Sequence, residues 1–431
     1  MTASSRDRLE ETLARIADPK GEGARACLTV YADAARKEAD AADARAKAGQ
    51  SLGPMDGVVI TIKDLFDVAG EVTRAGSKVL AARGKPATAD APTIAALRKA
   101  GAVIAAKTNM VEFAFSGVGV NPHYGTPGNP ADRKRVPGGS TSGGAVAVAD
   151  GMGAITIGTD TGGSTRTPAS LCGIVGFKPT QKRITRAGAY PLSFSLDSIG
   201  PMAKTVAECA LADAVLAGEA TEFSPLPLNG VRAGLVQGMP LDGLDDTVSA
   251  TFGKALAKLS GAWRSASDVT LDALPILARV NERGGLAPPE AYAVHQKVLA
   301  EDGDRIDPSV RQRIMRAANM TMPDYVWLQE DRKRAIAQTD ALFDRFDVLV
   351  LPTTPIVAPL QSEVASLDVF VPRNVLLLRN TSIGNFFDLC AISLPINLGN
   401  ALPCGLMLFG RHGSDRKLLS IAASVEKALA A

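Results

Sequence analysis

Two serines in glycine-rich surroundings are the residues of this sequence best suited to covalent chemistry. Ser140 and Ser164 lie within residues 137–179, where one glycine cluster surrounds Ser140 and a second precedes Ser164. Such clusters are tolerated where a backbone turns sharply or approaches another group closely. Ser164 follows Gly163 and precedes a stretch that can form a helix, whose free N–H groups would stabilise an oxyanion. The pattern predicts that Ser164 is a nucleophile.

A serine nucleophile needs a base, and the three histidines of this chain do not supply an obvious one. His123 falls in a predicted loop, His295 in a charged helix and His412 in a predicted surface turn. The G-x-S-x-G turn of α/β-hydrolases is also absent around Ser164. A Ser-His-Asp triad is therefore disfavoured, and lysine is the remaining candidate base.

A lysine can act as a base near neutral pH only when burial lowers its pKa. Lys63 ends the apolar run 58–62, and Lys107 ends the run 102–106, so a buried strand would carry either of them inside. The commoner arrangement is a strand-end lysine that reaches solvent. The residues alone do not choose between Lys63 and Lys107.

The motifs around these residues closely resemble the amidase signature family. The resemblance spans residues 50–429, and its matching segments are 53–57, 62–64, 138–140, 158–166, 168–170, 172–173, 176–180, 196–201, 351–355 and 394–406. It implies an α/β fold with a single large domain. In that fold, helices cover both faces of a mixed, mostly parallel β-sheet.

The resemblance also implies a Ser–cis-Ser–Lys triad in which Ser164 attacks the amide carbonyl. Ser140, joined to Gly139 by a cis peptide bond, would relay the proton to neutral Lys63. The oxyanion hole would be formed by the backbone N–H groups of Thr161, Gly162, Gly163 and Ser164. This chemistry needs no metal and no organic cofactor.

Three further residues are expected near the substrate. Ala114 and Phe115 belong to a glycine- and proline-rich stretch that resembles the family's pocket-lining loop, although an aromatic is more often part of the core. Arg166 is expected to pair with Asp160 and brace the loop, with contact to an anionic substrate as the alternative. Ser142 is expected to cap a helix or to form a hydrogen bond rather than to take part in catalysis.

Short apolar runs predict the strands that must position these side chains. They occupy residues 58–63, 102–107, 231–236, 347–351, 391–395 and 405–409. Helical periodicity marks residues 244–259, 276–297 and 325–346. This alternation of strands and helices favours one α/β domain with helices on both faces of the sheet.

The chain divides into two predicted parts. Residues 1–50 are interpreted as an N-terminal helical segment packed on the core, and residues 51–431 as the amidase signature domain. Within that domain, residues 242–346 form a helical region on the substrate side. The proline-containing stretches 218–230 and 356–378 are predicted to be connectors.

Composition argues against several other functions. The 47 basic and 45 acidic residues are interleaved and leave a formal charge of +2, so no nucleic-acid partner is expected. The five cysteines are scattered, and Cys172 stands in an apolar context, so no zinc pattern appears and a core role is expected. No signal peptide and no run of about 20 apolar residues is found, which predicts a cytoplasmic protein without a membrane partner.

The leading hypothesis is a stand-alone amidase that acts on a small carboxamide, with a homodimer as the family-level expectation. A second hypothesis is the glutaminase subunit of a tRNA-dependent amidotransferase. Residues 307–325 lack the tyrosine-rich stretch of that subunit, which favours the stand-alone enzyme. Two further hypotheses are an esterase that uses the same triad and a binding protein without catalysis. The identity of the amide does not follow from the residues.

Overall fold

Eleven strands form one sheet within the described residues, which are 3–396, 398–399 and 402–430 of a computed structural model. In chain order the strands are β1 (Cys27–Val30), β2 (Val59–Lys63), β3 (Val103–Thr108), β4 (Ile155–Asp160), β5 (Val175–Lys178), β6 (Ser198–Ala203), β7 (Arg232–Val236), β8 (Ser265–Val269), β9 (Val348–Pro352), β10 (Cys390–Ile396) and β11 (Cys404–Gly410).

The sheet is mixed, with the order β1-β3-β2-β4-β6-β5-β10-β11-β9-β7-β8. Among the described strand pairs, β3–β2, β2–β4, β9–β7 and β7–β8 are parallel and the other six are antiparallel. The predicted α/β class and the mixed sheet are confirmed, but the expectation of a mostly parallel sheet is wrong. The reason is connectivity: β5 and β6, like β10 and β11, are neighbours in both chain and sheet, and antiparallel neighbours need no crossover helix.

Sixteen α-helices accompany the sheet in the described part of the chain, and none of them combines the length and apolar character that a membrane crossing requires. The first eight are α1 (Ser5–Ala17), α2 (Gly23–Ala26), α3 (Ala32–Lys47), α4 (Lys78–Arg83), α5 (Pro92–Lys99), α6 (Ser142–Ala149), α7 (Arg166–Cys172) and α8 (Val206–Ala217). The others are α9 (Asp246–Leu259), α10 (Leu274–Glu282), α11 (Ala287–Asp302), α12 (Pro308–Met315), α13 (Met322–Asp340), α14 (Leu367–Arg379), α15 (Thr381–Phe386) and α16 (Asp415–Ala430). Short 3-10 helices occupy Glu112–Ala114, Leu228–Gly230, Met239–Leu241, Gly303–Arg305, Ala341–Asp344 and Glu363–Ala365.

Helices cover both faces of the sheet, as predicted. On one face, Ile60 and Ile62 of β2 belong to the apolar cluster shared with α5, α8, α9 and α16. On the other face, Val59 packs with residues of α1 and α3, while α6 and α7 cover the neighbouring strands. Because successive side chains of a strand point to opposite faces, Lys63 lies on the same face as Val59 and Thr61. This face is the one covered by α6 and α7.

The first fifty residues contain one strand that the helical prediction missed. α1 and α3 are helical as expected, but β1 joins the edge of the sheet and runs antiparallel to β3. Of its four residues only Cys27 is buried. So short and exposed a strand shows too little apolar alternation to be recognised from periodicity.

One other prediction of local structure is wrong, and a second is confirmed except for one missed strand. The stretch 356–378, predicted as a connector, contains most of α14, which has Pro372 inside it. Proline usually ends a helix because it lacks an N–H. For this reason the proline-containing stretch was predicted to be a connector and not a helix. In the region 242–346, predicted as mainly helical, the strand β8 was missed because its first four residues are exposed and carry no apolar pattern. All six predicted strands are confirmed, as β2, β3, β7, β9, β10 and β11.

Candidate active site

Lys63, the last residue of β2, is fully buried beside Ser140. Its Nζ lies 2.8 Å from the Ser140 Oγ and 3.0 Å from the Thr159 Oγ1. Burial lowers the pKa of Lys63 to about 7, against the opposing effect of the nearby Asp197 and Asp160 carboxylates. A lysine with this pKa is largely neutral above pH 7 and can accept a proton.

Lys107, the other candidate base, lies on the opposite face of the sheet. In the parallel pair of β2 and β3, Lys63 is opposite Thr108 and Ile62 is opposite Lys107. Paired residues share a face and successive residues alternate, so Lys107 shares the face of Ile62. Its Nζ lies 3.2 Å from the carboxylate of Glu71. Strand register therefore separates two lysines that are equivalent by sequence pattern.

Ser140 is held in a tightly packed turn. The Gly139–Ser140 peptide bond is cis, as the family resemblance implies, and the Ser140 side chain is fully buried. The Ser140 carbonyl accepts a hydrogen bond of 3.1 Å from the Val111 N–H. Glycine is required before Ser140 because a Cβ at position 139 would lie 2.9 Å from the Cα of Gly119. The close approach of two backbone segments therefore accounts for the glycine at position 139.

The neighbouring Ser142 does not have the capping role expected of it. α6 begins at Ser142 itself, its N-cap residue is Thr141, and the Ser142 hydroxyl has no hydrogen-bond partner among the residues described. Cys172 is buried at the end of α7, and burial raises the pKa of its thiol. A thiol in this state packs as a small apolar group, in agreement with the predicted core role.

Ser164 stands between β4 and α7, shortly before the helix begins at Arg166, which is the position predicted from the glycine pattern. It is 4% exposed. The Thr141 N–H donates a hydrogen bond of 3.3 Å to the Ser164 carbonyl, which brings the two serine-bearing segments together. No described residue forms a hydrogen bond with the Ser164 hydroxyl, so its oxygen is free to approach a carbonyl carbon.

Asp160, at the end of β4, organises the loop that follows it. The buried carboxylate accepts hydrogen bonds from the Gly163 N–H (2.8 Å), the Thr165 N–H (3.1 Å) and the Asn385 Nδ2 (2.9 Å). Burial alone would raise the pKa of Asp160, but the Arg166 guanidinium, the charge of Lys178 and the Asn385 amide hold the pKa well below its usual value. Asp160 is therefore ionised at neutral pH, and its carboxylate ties together the backbone of the loop. Its backbone partners were not anticipated from the sequence.

The geometry corrects one member of the predicted oxyanion hole. The Gly163 N–H is donated to Asp160 and so cannot be directed at a substrate oxygen. The N–H groups of Thr161, Gly162 and Ser164 form no hydrogen bond with any residue that the structure describes. These three donors are the ones available to an oxyanion.

Two side-chain hydrogen bonds fix the same loop. The Thr161 hydroxyl donates to Asp197, which also accepts two backbone N–H groups, and the Thr381 hydroxyl donates to the Gly162 carbonyl at 2.6 Å. Thr159, Asp197 and Thr381 were not identified as site residues from the sequence. Hydroxyls and carboxylates outside the nucleophile pattern carry no clear signal, and only the matching segment 196–201 pointed towards Asp197.

Arg166 braces the loop and does not reach the substrate. Its side chain is fully buried. Its Nη2 lies 2.9 Å from Asp160 and 2.7 Å from the Asn385 Oδ1, and its Nη1 donates to the Thr381 carbonyl at 2.8 Å. The preferred interpretation of a bracing ion pair is confirmed. The alternative, contact with an anionic substrate, is contradicted because the donors of the guanidinium are engaged inside the protein.

A cavity of about 790 Å³ opens at this loop, and Thr161 and Gly162 form part of its wall. Phe115, a predicted substrate contact, lines the cavity, whereas Ala114 is buried outside the described lining. The region 242–346 contributes through α10 and α12, and the unpredicted helix α14 contributes as well. The apolar part of the wall includes Leu274, Leu277, Val375, Leu378 and Phe386.

Comparison with known proteins gives the same family over nearly the whole chain. A family model described as Amidase matches residues 7–419. The 2-amino-5-chloromuconic acid deaminase of Comamonas testosteroni is 35% identical over 398 residues, which cover 91% of this chain and 86% of the deaminase. A glutamyl-tRNA(Gln) amidotransferase subunit of Symbiobacterium thermophilum is 34% identical over 456 residues, which cover 97% and 92% of the two chains. A crystal structure of an amidase superposes with a TM-score of 0.88 at 32% identity and covers 99% of this chain and 96% of its own.

The mixed sheet, with a buried lysine beside a serine in a glycine-rich turn, is typical of a class of enzymes that hydrolyse carbon–nitrogen bonds. The chain belongs to the amidase signature family, as its motifs predicted. Because the similarity covers nearly the whole chain, the family assignment rests on the entire fold and not on one motif.

Proposed function

We propose that the enzyme hydrolyses a small carboxamide through an acyl-enzyme on Ser164, with Ser140 and Lys63 moving the proton. The observation that carries this proposal is the distance of 2.8 Å between the Lys63 Nζ and the Ser140 Oγ in a fully buried site. Burial favours the neutral amine, and a neutral amine can accept a proton from a hydroxyl. The segment that bears Ser164 is in contact with the segment that bears Ser140.

In the first half-reaction, the Ser164 Oγ attacks the amide carbonyl carbon. Its proton passes to the Ser140 Oγ while Ser140 gives its own proton to the Lys63 Nζ. The charge that develops on the carbonyl oxygen is stabilised by the N–H groups of Thr161, Gly162 and Ser164. The proton then returns through Ser140 to the leaving nitrogen. The C–N bond breaks, and ammonia or an amine departs from an acyl-Ser164 ester.

In the second half-reaction, water attacks the acyl carbon. Its proton follows the same route through Ser140 to Lys63 and is returned to the Ser164 Oγ when the ester bond breaks. The product is a carboxylic acid, and the enzyme regains its starting protonation state. The complete cycle uses only groups of this chain and one water molecule.

A fluorophosphonate probe tests the nucleophile directly. Ser164→Ala should prevent labelling and lower kcat at least about 1,000-fold, while the melting temperature stays close to that of the wild type. Ser142→Ala is the matched control, because this hydroxyl lies in the same region and has no described partner. That variant should keep both labelling and most of the activity. Labelling that persists in Ser164→Ala, or substantial turnover by it, would refute the assignment.

The glutaminase subunit of a tRNA-dependent amidotransferase is the second candidate function. It is favoured by the 34% identity to a glutamyl-tRNA(Gln) amidotransferase subunit over 97% of this chain. The missing tyrosine-rich stretch in residues 307–325 still favours the stand-alone enzyme. The test is glutamine hydrolysis by the chain alone and in the presence of charged tRNA with a partner protein. A sharp increase with the partner would favour the amidotransferase, and matched amide and ester substrates would separate amidase from esterase.

Three expectations from the sequence remain predictions: a cytoplasmic location, a homodimer and catalysis without a metal or organic cofactor. Light scattering coupled to size-exclusion chromatography measures the oligomeric state. Full activity after dialysis against a chelator would support catalysis without a metal. The expected substrate partner is a small-molecule amide.

A further inference from the structure

A buried carboxylate on α11, that of Glu290, joins two other segments that lie beside the catalytic loop. It accepts hydrogen bonds from the hydroxyls of Ser193 and Ser195, and from the Ser195 N–H at 3.0 Å. The Tyr325 hydroxyl of α13 donates to the same carboxylate at 2.7 Å. Glu290 is 4% exposed. A buried carboxylate with this many donors holds the segments that supply them in one arrangement.

The two serines belong to a tight turn over residues 193–197, which is closed by its own hydrogen bonds. The Asp197 N–H donates to the Ser193 carbonyl at 3.1 Å, and the Ser193 N–H donates to the Asp197 carboxylate at 3.0 Å. The Leu196 N–H donates to the Ser193 hydroxyl at 3.2 Å. Because these bonds join both ends of the 193–197 turn, a contact that fixes its serines also fixes Asp197.

Asp197, the last residue of the 193–197 turn, contacts the loop that carries the oxyanion donors. Its carboxylate accepts the hydroxyl of Thr161, whose N–H is one of the donors available to an oxyanion. β6 begins at the next residue, and the Ser198 hydroxyl donates to the Asp160 carbonyl at 3.1 Å. A path of hydrogen bonds therefore leads from Glu290 through the 193–197 turn to Thr161.

The elements that carry this path also form part of the cavity wall. Ala287 and Pro288, in the first turn of α11, line the cavity, and so does Leu196 of the 193–197 turn. Glu290 follows Pro288 by two residues. The wall that faces the substrate and the support of the oxyanion loop are therefore built from the same helix and the same turn.

We propose that Glu290 is a positioning residue for the reaction, which holds the 193–197 turn so that Asp197 keeps Thr161 aligned in the oxyanion hole. Glu290 acts through these two residues and does not touch the reacting atoms. Alignment matters because a displacement of about 1 Å can cost about 100-fold in rate. None of the segments that match the family motifs contains Glu290. This inference rests on the proposed function for the role of the Thr161 N–H.

The rate at which a fluorophosphonate probe labels Ser164 tests the inference without an amide substrate. The phosphoryl oxygen of the probe uses the same donors as an oxyanion. Glu290→Ala should lower the second-order labelling rate about 10- to 100-fold. Glu290→Gln should keep more of the rate, because its amide oxygen can still accept the Ser195 N–H. Ser195→Ala is a milder variant that removes one hydroxyl and keeps the carboxylate, and it should lower the rate about 3- to 10-fold.

Asp415→Ala is the matched control, because Asp415 is also a buried carboxylate that accepts an N–H and a hydroxyl, both from Thr180. It should lower the melting temperature and keep the labelling rate of the wild type. A double-mutant cycle then tests the path. If Glu290 acts through Asp197, adding Glu290→Ala to Asp197→Asn should have little further effect on labelling. Effects of the two substitutions that multiply would overturn the inference, and so would an unchanged rate in Glu290→Ala.

The pH dependence of labelling is a second measurement, which a general loss of stability would not change. The charges of Asp197 and Asp160 raise the pKa of Lys63 against the effect of burial. Displacement of Asp197 removes part of this effect, so the midpoint of the decrease in acid should shift to lower pH in Glu290→Ala, as it should in Asp197→Asn. A shift in Asp197→Asn without one in Glu290→Ala would contradict the proposed path.

Turnover by the wild type separates this inference from the proposed function. A wild type that is labelled at Ser164 but hydrolyses no carboxamide would refute the amidase function, while slower labelling of Glu290→Ala would still support the inference. Hydrolysis of a carboxamide by the wild type, together with unchanged labelling of Glu290→Ala, would overturn the inference alone.

Discussion

The burial of Lys63 sets its pKa, and this pKa is expected to determine the pH range in which the enzyme is active. Burial lowers the pKa of this lysine to about 7, while the Asp197 and Asp160 carboxylates limit the decrease. In the proposed mechanism, the neutral amine is the form that accepts the proton from Ser140. This form is lost as the pH falls through the pKa, because proton uptake then gives a charged lysine that cannot act as a base.

We expect kcat/KM to fall about tenfold for each pH unit below about pH 7. Lys63→Met should lower kcat about 100- to 10,000-fold above that pH, because general-base assistance is lost. A pH–rate profile of the wild type measures the first effect, and single-pH kinetics measure the second.

Lys107→Met is the control for this prediction, because Lys107 is also a buried lysine near the end of its strand but lies on the other face of the sheet. In this variant, the decrease of kcat/KM at low pH should have the same midpoint pH as in the wild type. A wild-type profile that is flat down to about pH 5 would exclude Lys63 as the base.

At the scale of secondary-structure elements, the Asp160–Arg166 pair joins β4 to α7 and α15. Both side chains are fully buried, and the Asn385 amide of α15 donates to the carboxylate at 2.9 Å. Removing one member of such a pair leaves an uncompensated buried charge. The loop between β4 and α7, which carries Ser164, depends on this pair for its conformation.

Asp160→Asn should therefore lower the free energy of unfolding by about 3–5 kcal/mol and greatly reduce activity. Asp150→Asn is the matched control, because Asp150 pairs with Arg133 at the surface and should lose at most about 1 kcal/mol. Urea denaturation measures both variants. Equal stability of the two variants would contradict the role of Asp160, and Arg166→Met added to Asp160→Asn should recover part of the loss.

The two adjacent glycines of this loop have different structural requirements. At Gly163 the φ angle is +139° and a Cβ would lie 2.2 Å from the Thr381 Oγ1, whereas at Gly162 a Cβ would meet nothing within 4 Å. Gly163→Ala should cost about 2–4 kcal/mol through backbone strain and steric overlap. Gly162→Ala should unfold like the wild type but bind bulky amides more weakly, because its methyl group would reach into open space beside the cavity.

Thermal unfolding and KM for small and bulky amides measure these effects. Comparable melting temperatures for Gly163→Ala and Gly162→Ala would show that the close contact at position 163 relaxes without cost. In that case the loop would be more adaptable than its hydrogen bonds indicate.

At the scale of the whole molecule, the N-terminal segment is linked by hydrogen bonds to the helix that follows Ser140. The Ala26 carbonyl accepts a hydrogen bond of 2.8 Å from the Asn109 N–H, and the Asn109 carbonyl accepts one of 2.9 Å from the Gly143 N–H in the first turn of α6. The Asn109 side chain also donates to the Arg25 carbonyl at 2.9 Å. A continuous path of hydrogen bonds thus runs from the N-terminal segment to the helix that follows Ser140.

We propose that residues 1–50 are an integral part of the folding unit, and we expect their deletion to prevent a stable fold. The deletion would expose Val59, Val103 and Ala105, which pack against α1 and α3, and would remove the edge strand β1. Soluble yield, melting temperature and activity measure the outcome. A shorter deletion that ends before Ser4, the cap of α1, is the control and should behave like the wild type. An active 51–431 fragment with an unchanged melting temperature would show that the segment is accessory.

Part of the fold could be predicted because apolar strands are long enough to show a pattern. The strands β2, β3, β7, β9, β10 and β11 are such runs. Three other elements were not predicted. The strand β4 lies inside the glycine-rich stretch, β8 is exposed at the edge of the sheet, and α14 contains Pro372, which is unusual inside a helix. The secondary structure of these three elements depends on contacts with residues that are distant in the chain. The local periodicity of the sequence does not report such contacts.

The residues and motifs of the chain were sufficient to derive the two serines, two candidate lysines, the glycine clusters and the family. The family motifs implied Lys63 rather than Lys107. Only the folded arrangement showed that these two lysines lie on opposite faces of the sheet, that the Gly163 N–H is donated to Asp160, and that the Arg166 guanidinium is engaged inside the protein. The physical reason is that residue types define which chemistry is possible. The face of a strand, the direction of an N–H group and the partner of a guanidinium depend on contacts between residues far apart in the chain.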